Sequence, residues 1–489
     1  MKNYFWTLDV IFLTPPKIKM PTVVLGGGIA GLSAAYYLRE TAPVVIEATS
    51  RLGGWIHTNK RPSGTLFELG PRTIRPAGAP GANTLNLIED LNLEQKVRPI
   101  TRDHPAAKNR MIFAKGKLHL LPNSLSGLFQ TKAPFSKPLA ACAWTDFWAK
   151  RKISTDESSF DFIKRRFGED VAEYAISPML CGICAGSAKE ISAKMLFRSL
   201  FEAEQKHGSV FKGLLKEALS AEKKAANADQ PGKLVTRAKT ERWSIYSLEN
   251  GLENLPLTMA QKLRESKVEF KLNDPCVQIK FNSDSVRLLL RSGTSIEGET
   301  LISALPASSL APLLKEQHPQ LSRALSEQTC ATVAVVNIQF KGNLIKEPGF
   351  GFLVPPVEQK PLLGVIYDSV CFPCPSGDTV FTAMMGGHWF HPQFTGKSPQ
   401  ELASVAIRGI QDILGITQEP VDVNSVILKD CIPQYTVGHY ERLDEIDNYV
   451  ESNRLPLHLV GSSYRGIGIN DVIMSAKLAV DKIKRQSSG

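Results

Sequence analysis

The stretch VVLGGGIAGLSAAYYLRE, residues 23–40, decides the fold. Thr22–Leu25 is a β-branched and apolar run, the composition of a strand buried on both faces of a parallel sheet. Gly26, Gly28 and Gly31 complete G-x-G-x-x-G, and residues 32–40 follow with helix-forming side chains. Each glycine has a task in such a turn. Gly26 permits the turn, Gly28 lets backbone approach a pyrophosphate, and Gly31 lets the helix pack on the strand. The helix N-terminus offers unpaired N–H groups and a positive dipole end to the phosphates. The run Gly26, Gly27, Gly28, Ile29, Ala30 and Gly31 is therefore a candidate diphosphate contact. Taken alone, it also fits a strand, turn and helix that hold nothing.

The next residues narrow the choice. A second strand, Val44–Ile46, ends in Glu47, 21 residues after Gly26, where a carboxylate can bind ribose hydroxyls. RLGGW follows at residues 51–55. Arg51 and a glycine pair that includes Gly54, directly after the acid and before Trp55, form the pattern by which flavin enzymes approach diphosphate and flavin. FAD is thus the expected cofactor. Near the other end, LPLHLVGSSYRGIGINDVIMSAKLAVDKI reads as a strand over 457–460, a glycine turn, and a helix from about Asn470 or Asp471. It matches the closing FAD segment of the amine-oxidase class of flavoproteins, whose helix N-terminus stabilises negative charge on reduced flavin. Ser475-Ala476 stands where that class often has Ser-Gly. The cofactor site is expected to be built from both chain ends, with other domains inserted between.

The chain has 489 residues, 43% hydrophobic and 22% charged, which fits a globular protein of two or three domains. No run of 18 apolar residues offers a membrane-spanning helix. The net charge of +10 favours anionic partners, although a basic surface also simply aids solubility, and no nucleic-acid motif is present. Eight cysteines in so long a chain do not read as a disulfide framework. The pairs Cys181/Cys184 and Cys371/Cys374 could form a thiolate metal site, but buried small apolar residues are the plainer reading, and no metal is expected. Residues 1–20 carry neither a secretory cleavage site nor an arginine-rich presequence and read as an extension of uncertain status.

Between the glycine segments, residues 110–121 read as a hairpin turning near Lys115-Gly116. Residues 122–220 are mostly helical in pattern, with a cap at Ser158 and Asp161. Residues 212–242 carry eight Lys/Arg against four acids and read as an exposed loop that could touch anionic lipid. Residues 247–256 read as a glycine turn entering a helix. Strands are expected at 268–272, Cys276–Phe281, 286–291 and 300–307, then an antiparallel sheet over 331–390.

VVLGGGIAGLSAAYYL, RLGGWIHT, FELGPRTIRPAG, DHPAAKNR, CIPQYTVGHY and GSSYRGIGIND together closely resemble the protoporphyrinogen oxidase family of the eukaryotic, mitochondrial type. The likeness runs from about Pro21 to Lys484. It implies an α/β fold: a Rossmann-like FAD-binding domain in discontinuous segments, an α+β substrate domain and a mostly helical membrane-binding insertion. Residues 21–104, 241–310 and 441–489 would form the cofactor domain, 105–240 the substrate- and membrane-binding part, and 311–440 the substrate sheet. It also implies one noncovalent FAD per chain and oxidation of protoporphyrinogen IX to protoporphyrin IX in three two-electron steps. O2 is then the acceptor, H2O2 the by-product, and the step the penultimate one of haem synthesis. A monotopic homodimer on the intermembrane-space face of the mitochondrial inner membrane, in contact with ferrochelatase, completes the implied picture.

Carried over by resemblance, Glu47 meets the ribose, and Trp55, Gly70, Pro71, Arg72 and Thr73 lie along the cofactor toward the ring. The Val277 backbone touches the adenine side. Ser462, Ile467, Gly468 and Ile469 line the flavin end. Arg110 matches an arginine that binds a porphyrin propionate, a sensible use of a guanidinium fork; without the resemblance it would be a hairpin surface arginine. Phe350, Leu353 and Met384 match apolar residues that sandwich the macrocycle; on their own they read as core. Porphyrinogen bridge carbons give up hydride readily, so no general base is obligatory, and His388 and His391 read as structural. The competing readings are a related flavin oxidase of amines or a polyene, and a non-catalytic membrane-surface porphyrin carrier.

Overall fold

The computed structural model describes residues 20–221, 232–283 and 285–487. The N-terminal extension therefore lies outside the described residues, apart from Met20. Thr22–Leu25 is the middle strand of a five-stranded parallel sheet. Val44–Ile46 and then Glu269–Lys271 lie on one side, Thr300–Ser303 and then Leu457–Leu459 on the other. Successive residues alternate between two cores. Val24, Val45 and Ile302 face one, while Val23, Leu25, Ile46 and Leu301 face the other. Both faces are covered, as continuous apolar strands require. The strand order switches direction at the first strand, and in such sheets ligands bind at the carboxyl ends beside that switch.

The first core joins helix Ile29–Tyr37 to the last helix, Ile469–Ser487, so the two ends of the chain pack on each other. The first helix begins three residues before the expected start at 32, because Gly28 already serves as its N-cap; Arg39–Thr41 is a separate short turn. The second core packs the three-stranded sheet Cys276–Phe281, Val286–Leu290 and Ser295–Gly298 with Ala307–Leu314, Pro319–Ser326 and His439–Ser452. A domain break at 310/311 would cut through Ala307–Leu314; the next strand of the substrate-side sheet begins at Cys330.

That sheet has seven strands. In spatial order they are Asp422–Pro433, Cys330–Phe340, Thr379–Gly387, Leu362–Tyr367, Gly351–Leu353, Met111–Ala114 and Lys117–Leu120. All pair antiparallel except Gly351–Leu353 with Met111–Ala114, which runs parallel. The expected 110–121 hairpin is thus its outer edge. One face packs on helix Pro399–Leu414 through Leu402, Ala406 and Ile410. The other carries Met384, Val335 and Val426 against Cys181 and Ala185.

Residues between the hairpin and 221 are mostly helical, and Ser158 caps helix Ser159–Phe167 by accepting from the Asp161 N–H at 3.1 Å. One expectation fails here. The described parts of 212–242 are not a loop: Val210–Ala221 and Lys233–Thr240 are helices, while the expectation for 222–231 lies outside the described residues. The Lys/Arg content hid a sparse apolar stripe, Leu234, Val235 and Ala238, which packs on helix Gly78–Asp90. No helix among the described residues is long and apolar enough to cross a membrane.

The insertion is pinned by an ion network with a fully buried centre. Arg166 pairs with Asp146 and Glu204, all without exposure, and Arg165 joins Glu204 to Glu157. Asp146 also accepts from Ser209 Oγ at 2.6 Å and from the N–H groups of Val210 and Phe211. Removing one member of a buried pair strands its partner in a low-dielectric interior. D146A is expected to cost about 3–5 kcal/mol, read by urea unfolding of purified protein; a loss below about 1 kcal/mol would show the network to be dispensable.

Candidate flavin site

Gly26 takes a φ of +110° and donates to the Ile46 carbonyl at 2.8 Å, closing the turn between the first two strands. A methyl group on Gly31 would stand 1.8 Å from the Gly26 carbonyl oxygen, so the helix sits directly on the turn. Helix Ile29–Tyr37 has no side-chain cap at Gly28, which leaves its first N–H groups for a ligand. Glu47 accepts from the Gly27 N–H at 2.7 Å and from Thr49 at 2.9 and 2.8 Å, so its carboxylate is held at the mouth of the turn.

The second glycine turn touches the first. Gly53 donates to the Gly27 carbonyl at 2.9 Å. Gly54, at φ +59°, lies so close that a methyl on it would stand 3.0 Å from the Gly28 Cα. Arg51 folds back on its own turn: it donates to the carbonyls of Leu52, Gly54 and Ile56 and pairs with Glu253 at 3.2 Å. Its guanidinium braces the loop that faces the cofactor. Val277 lies at a bulge, and the segment before it joins the Glu47 turn through Asn273 N–H to the Thr49 carbonyl at 3.0 Å.

Toward the ring end, Trp55 is exposed, and its carbonyl would be 2.0 Å from a methyl on Gly70. Pro71 is exposed and Thr73 partly buried. Arg72 between them is buried. It donates through Nη1 to Asp368 at 2.6 Å, while its Nη2 has no partner. Asp368 accepts from Thr382 at 2.6 Å, and Asn337 donates to both Thr382 Oγ1 and the Glu68 carbonyl.

The C-terminal segment closes on this frame. A methyl on Gly461 would lie 3.5 Å from the Ala30 Cβ. Ser475 accepts from the Gly461 N–H at 3.1 Å, and Ala476, where Ser-Gly would place a glycine, is core. Tyr435, from the substrate-side sheet's last loop, donates to the Ser462 carbonyl at 2.5 Å and accepts from the Gly466 N–H at 2.9 Å. Its ring stacks on His439 at 4.2 Å, and His439 Nε2 meets the Tyr464 carbonyl at 2.7 Å. Ile467, Gly468 and Ile469 follow, with Asp471 folded over Gly466 and Gly468. Burial pushes the Asp471 carboxyl up from its ordinary value, and it is the one acid in the first turn of this helix.

On the substrate side, the Arg110 guanidinium lies 4.4 Å over the Phe350 ring. Leu353, Gly364 and Met384 stand opposite one another on adjacent strands, so Leu353 and Met384 share one sheet face across a position without a side chain. Phe350 lies at the end of that strand and packs with Ile245 and Cys371. His388 sits 3.4 Å from Glu190, and His391 lies beside Thr395. The thiols of Cys181 and Cys371 are pushed up to about 12 and that of Cys184 to about 11 by burial, so they stay protonated. Among the described residues no group of three His, Cys, Asp or Glu side chains could hold a metal.

Glu68, Asp368, Asn337, Thr382, Tyr435 and His439 escape sequence reading. Glu68 and Tyr435 stand inside motifs whose wording is distinctive, but their partners are remote in the chain. The residues fit a flavin cofactor: glycine turns packed so closely at Gly27, Gly31, Gly54 and Gly70 that no Cβ would fit, an uncapped helix start, and the unpaired Arg72 Nη2. Such a frame is that of a flavoprotein of the two-ended, inserted-domain type.

Comparison with known proteins agrees. The model of flavin containing amine oxidoreductases matches residues 29–484. The chain is 40% identical to the human protoporphyrinogen oxidase over 469 residues, covering 94% of this chain and 97% of the human protein. It is 39% identical to the bovine protoporphyrinogen oxidase over 471 residues, covering 94% and 98%. A solved putative protoporphyrinogen oxidase from Exiguobacterium superposes with a TM-score of 0.76 at 25% identity, covering 96% of this chain and 99% of that one. The chain belongs to the flavin-containing amine oxidoreductases and, within them, to the protoporphyrinogen oxidase family.

Glu68 yields a pH test. Burial pushes its carboxyl from 4.5 up to about 7, against hydrogen bonds from the Leu252 N–H and the Thr58 hydroxyl. The folded state then holds a proton that the unfolded state has lost, so this group's contribution falls as pH rises from 4.5 to 7. E68Q is expected to remove about 3 kcal/mol of that decline, seen as a flatter stability profile over this window. A variant profile parallel to the wild type would contradict it.

Proposed function

We propose that this chain oxidises protoporphyrinogen IX to protoporphyrin IX with one noncovalent FAD, in three two-electron steps, with O2 as acceptor and H2O2 as by-product. The observation that carries the reading is near-full-length similarity to protoporphyrinogen oxidases, joined to Arg110 stacked on Phe350 beside the Leu353–Met384 face. When bound, FAD supplies the hydride acceptor.

The chain's own residues do the rest. With FAD bound, the uncapped start of Ile29–Tyr37 would hold its diphosphate and Glu47, at the mouth of the turn, its ribose. Tyr435 clamps Ser462 and Gly466, which fixes the backbone at the ring end. The unpaired Arg72 Nη2 offers a donor there. Arg110 takes one propionate of an otherwise greasy macrocycle and sets its orientation. Phe350, Leu353 and Met384 exclude water and hold a bridge C–H toward the acceptor. Pyrrole protons leave to solvent, so no general base is required.

Purified protein is expected to be yellow and to raise porphyrin fluorescence from protoporphyrinogen under air well above the spontaneous rate. Bound flavin with no rate above background would favour the carrier reading. R110A is expected to raise KM at least about tenfold, the scale of one charge-assisted hydrogen bond, with flavin content intact. Loss of flavin instead would remove Arg110 from the substrate side.

A membrane surface is proposed as partner through helix Ala141–Trp148. Trp144, Phe147 and Trp148 are 69%, 52% and 64% exposed, and they stack edge to face on one another. Leu125, Phe129, Ile153 and Leu215 stand equally bare on neighbouring segments, and Lys212 lies 4.3 Å over Phe147. An aromatic ridge rimmed by lysine suits an interface between lipid headgroups and acyl chains. W144E/W148E is expected to lose co-sedimentation with anionic vesicles while keeping its flavin; sedimentation equal to wild type would rule the ridge out. Placement on the intermembrane-space face of the mitochondrial inner membrane, a homodimer, and hand-over to ferrochelatase belong to the same proposal and rest on the family resemblance.

A further inference from the structure

A cleft of about 680 Å³ opens beside Arg110, between the N-terminal end of helix Gly78–Asp90, helix Lys233–Thr240 and the strand Trp243–Leu248. Five cationic side chains line it: Arg75, Arg102, Arg110, Lys239 and Arg242. Arg102 and Arg242 are tied side by side by an Arg102 N–H to Arg242 carbonyl bond of 2.9 Å. Among the described residues, Arg75, Arg102, Arg110 and Lys239 form no ion pair. Arg242 has only a loose, exposed one with Asp103 at 3.8 Å. The other nearby acid, Glu241, is engaged by Arg237 and by the Trp243 indole. The helix that ends in the cleft has no side-chain cap at Ala77, so its free N–H groups add to the positive field. Arg110 feels this crowding: burial, then the Arg75 charge, pull its guanidinium below its ordinary value.

So many like charges converging without acids destabilise the empty protein and suit a polyanion. The position says which. Arg110 stands at the inner end, over Phe350, and Ile245 belongs both to the cleft and to the Phe350 cluster. We propose that this cleft is a carboxylate recess for the tetrapyrrole, in which Arg75 and Arg102 take the propionate that Arg110 does not, with Lys239 and Arg242 at the entrance drawing the dianion in. The inference rests on the proposed porphyrinogen reading and adds the residues that select a dicarboxylate edge. Carboxylates meeting paired guanidiniums gain charge-assisted bonds, while a neutral ester gains none and leaves the cations crowded.

The test needs no turnover. Binding of protoporphyrin IX and of its dimethyl ester to the holoenzyme is followed by fluorescence, at low and at raised salt. Wild type is expected to bind the free acid at least about tenfold more tightly than the ester, with a gap that narrows as salt screens the cleft. R75Q/R102Q is expected to lose most of that preference and to keep its flavin; R75K/R102K is expected to retain part of it. Equal binding of acid and ester by wild type overturns the proposal. So does full preference in R75Q/R102Q, even where R110Q abolishes it, and in that case the reading of Arg110 still stands. If anionic vesicles displace the free acid from wild type but not from W144E/W148E, competition runs through the membrane and the recess stands; if phosphatidylglycerol headgroups occupy the cleft of both proteins and ester substitution changes nothing, the cleft serves lipid. Failure of wild type to bind either porphyrin sinks this inference and the proposed function together.

Discussion

One close approach governs this molecule: helix Ile29–Tyr37 lies against the carbonyl of Gly26, where a single methyl group at position 31 would stand 1.8 Å from oxygen. Because the helix can come that near, its uncapped start points across the carboxyl end of the central strand. Because its start is there, the second glycine turn can close on it through Gly53 and Gly54, and the last helix can pack along it. The buried alternation of Val23, Val24 and Leu25 holds the strand between two cores and keeps the turn from drifting.

The inserted parts are fastened to that frame by apolar clusters such as Phe67 and Leu69 against Val380, and by polar groups that add direction. Arg72 reaches Asp368, Asn337 reaches the Glu68 carbonyl, and Tyr435 bridges Ser462 and Gly466. Each bond spans the cofactor-side segments and the substrate-side elements, and all are part-buried, where an unmet partner is costly. The substrate-side elements are therefore registered on the ring end of the site by directional contacts. Directional contacts set angles, which apolar packing alone does less well, and hydride transfer depends on angle as well as distance.

Local pattern made much of this legible in the chain. Thr22–Leu25, Val44–Ile46, Glu47, the 110–121 hairpin and the strand Cys276–Phe281 all follow from short-range periodicity and turn chemistry. What was not legible has a common cause. Asn337 and Glu68 are 269 positions apart, and Arg51 pairs with Glu253, 202 positions away. No local signal carries such partners. The helix Lys233–Thr240 was obscured for a different reason: its dense lysine and arginine resemble a loop, and only the three-residue stripe of Leu234, Val235 and Ala238 betrays its buried face.

The central claim is that two glycine segments from opposite ends of the chain grip one dinucleotide. Titration of flavin-stripped protein with FAD, followed by quenching of flavin fluorescence, tests it most directly. The account predicts saturation at one FAD per chain, with a G31V protein that folds yet leaves the fluorescence of added FAD unchanged. Folded wild-type protein that takes up no FAD, or a G31V protein that binds it as well as wild type, would contradict it.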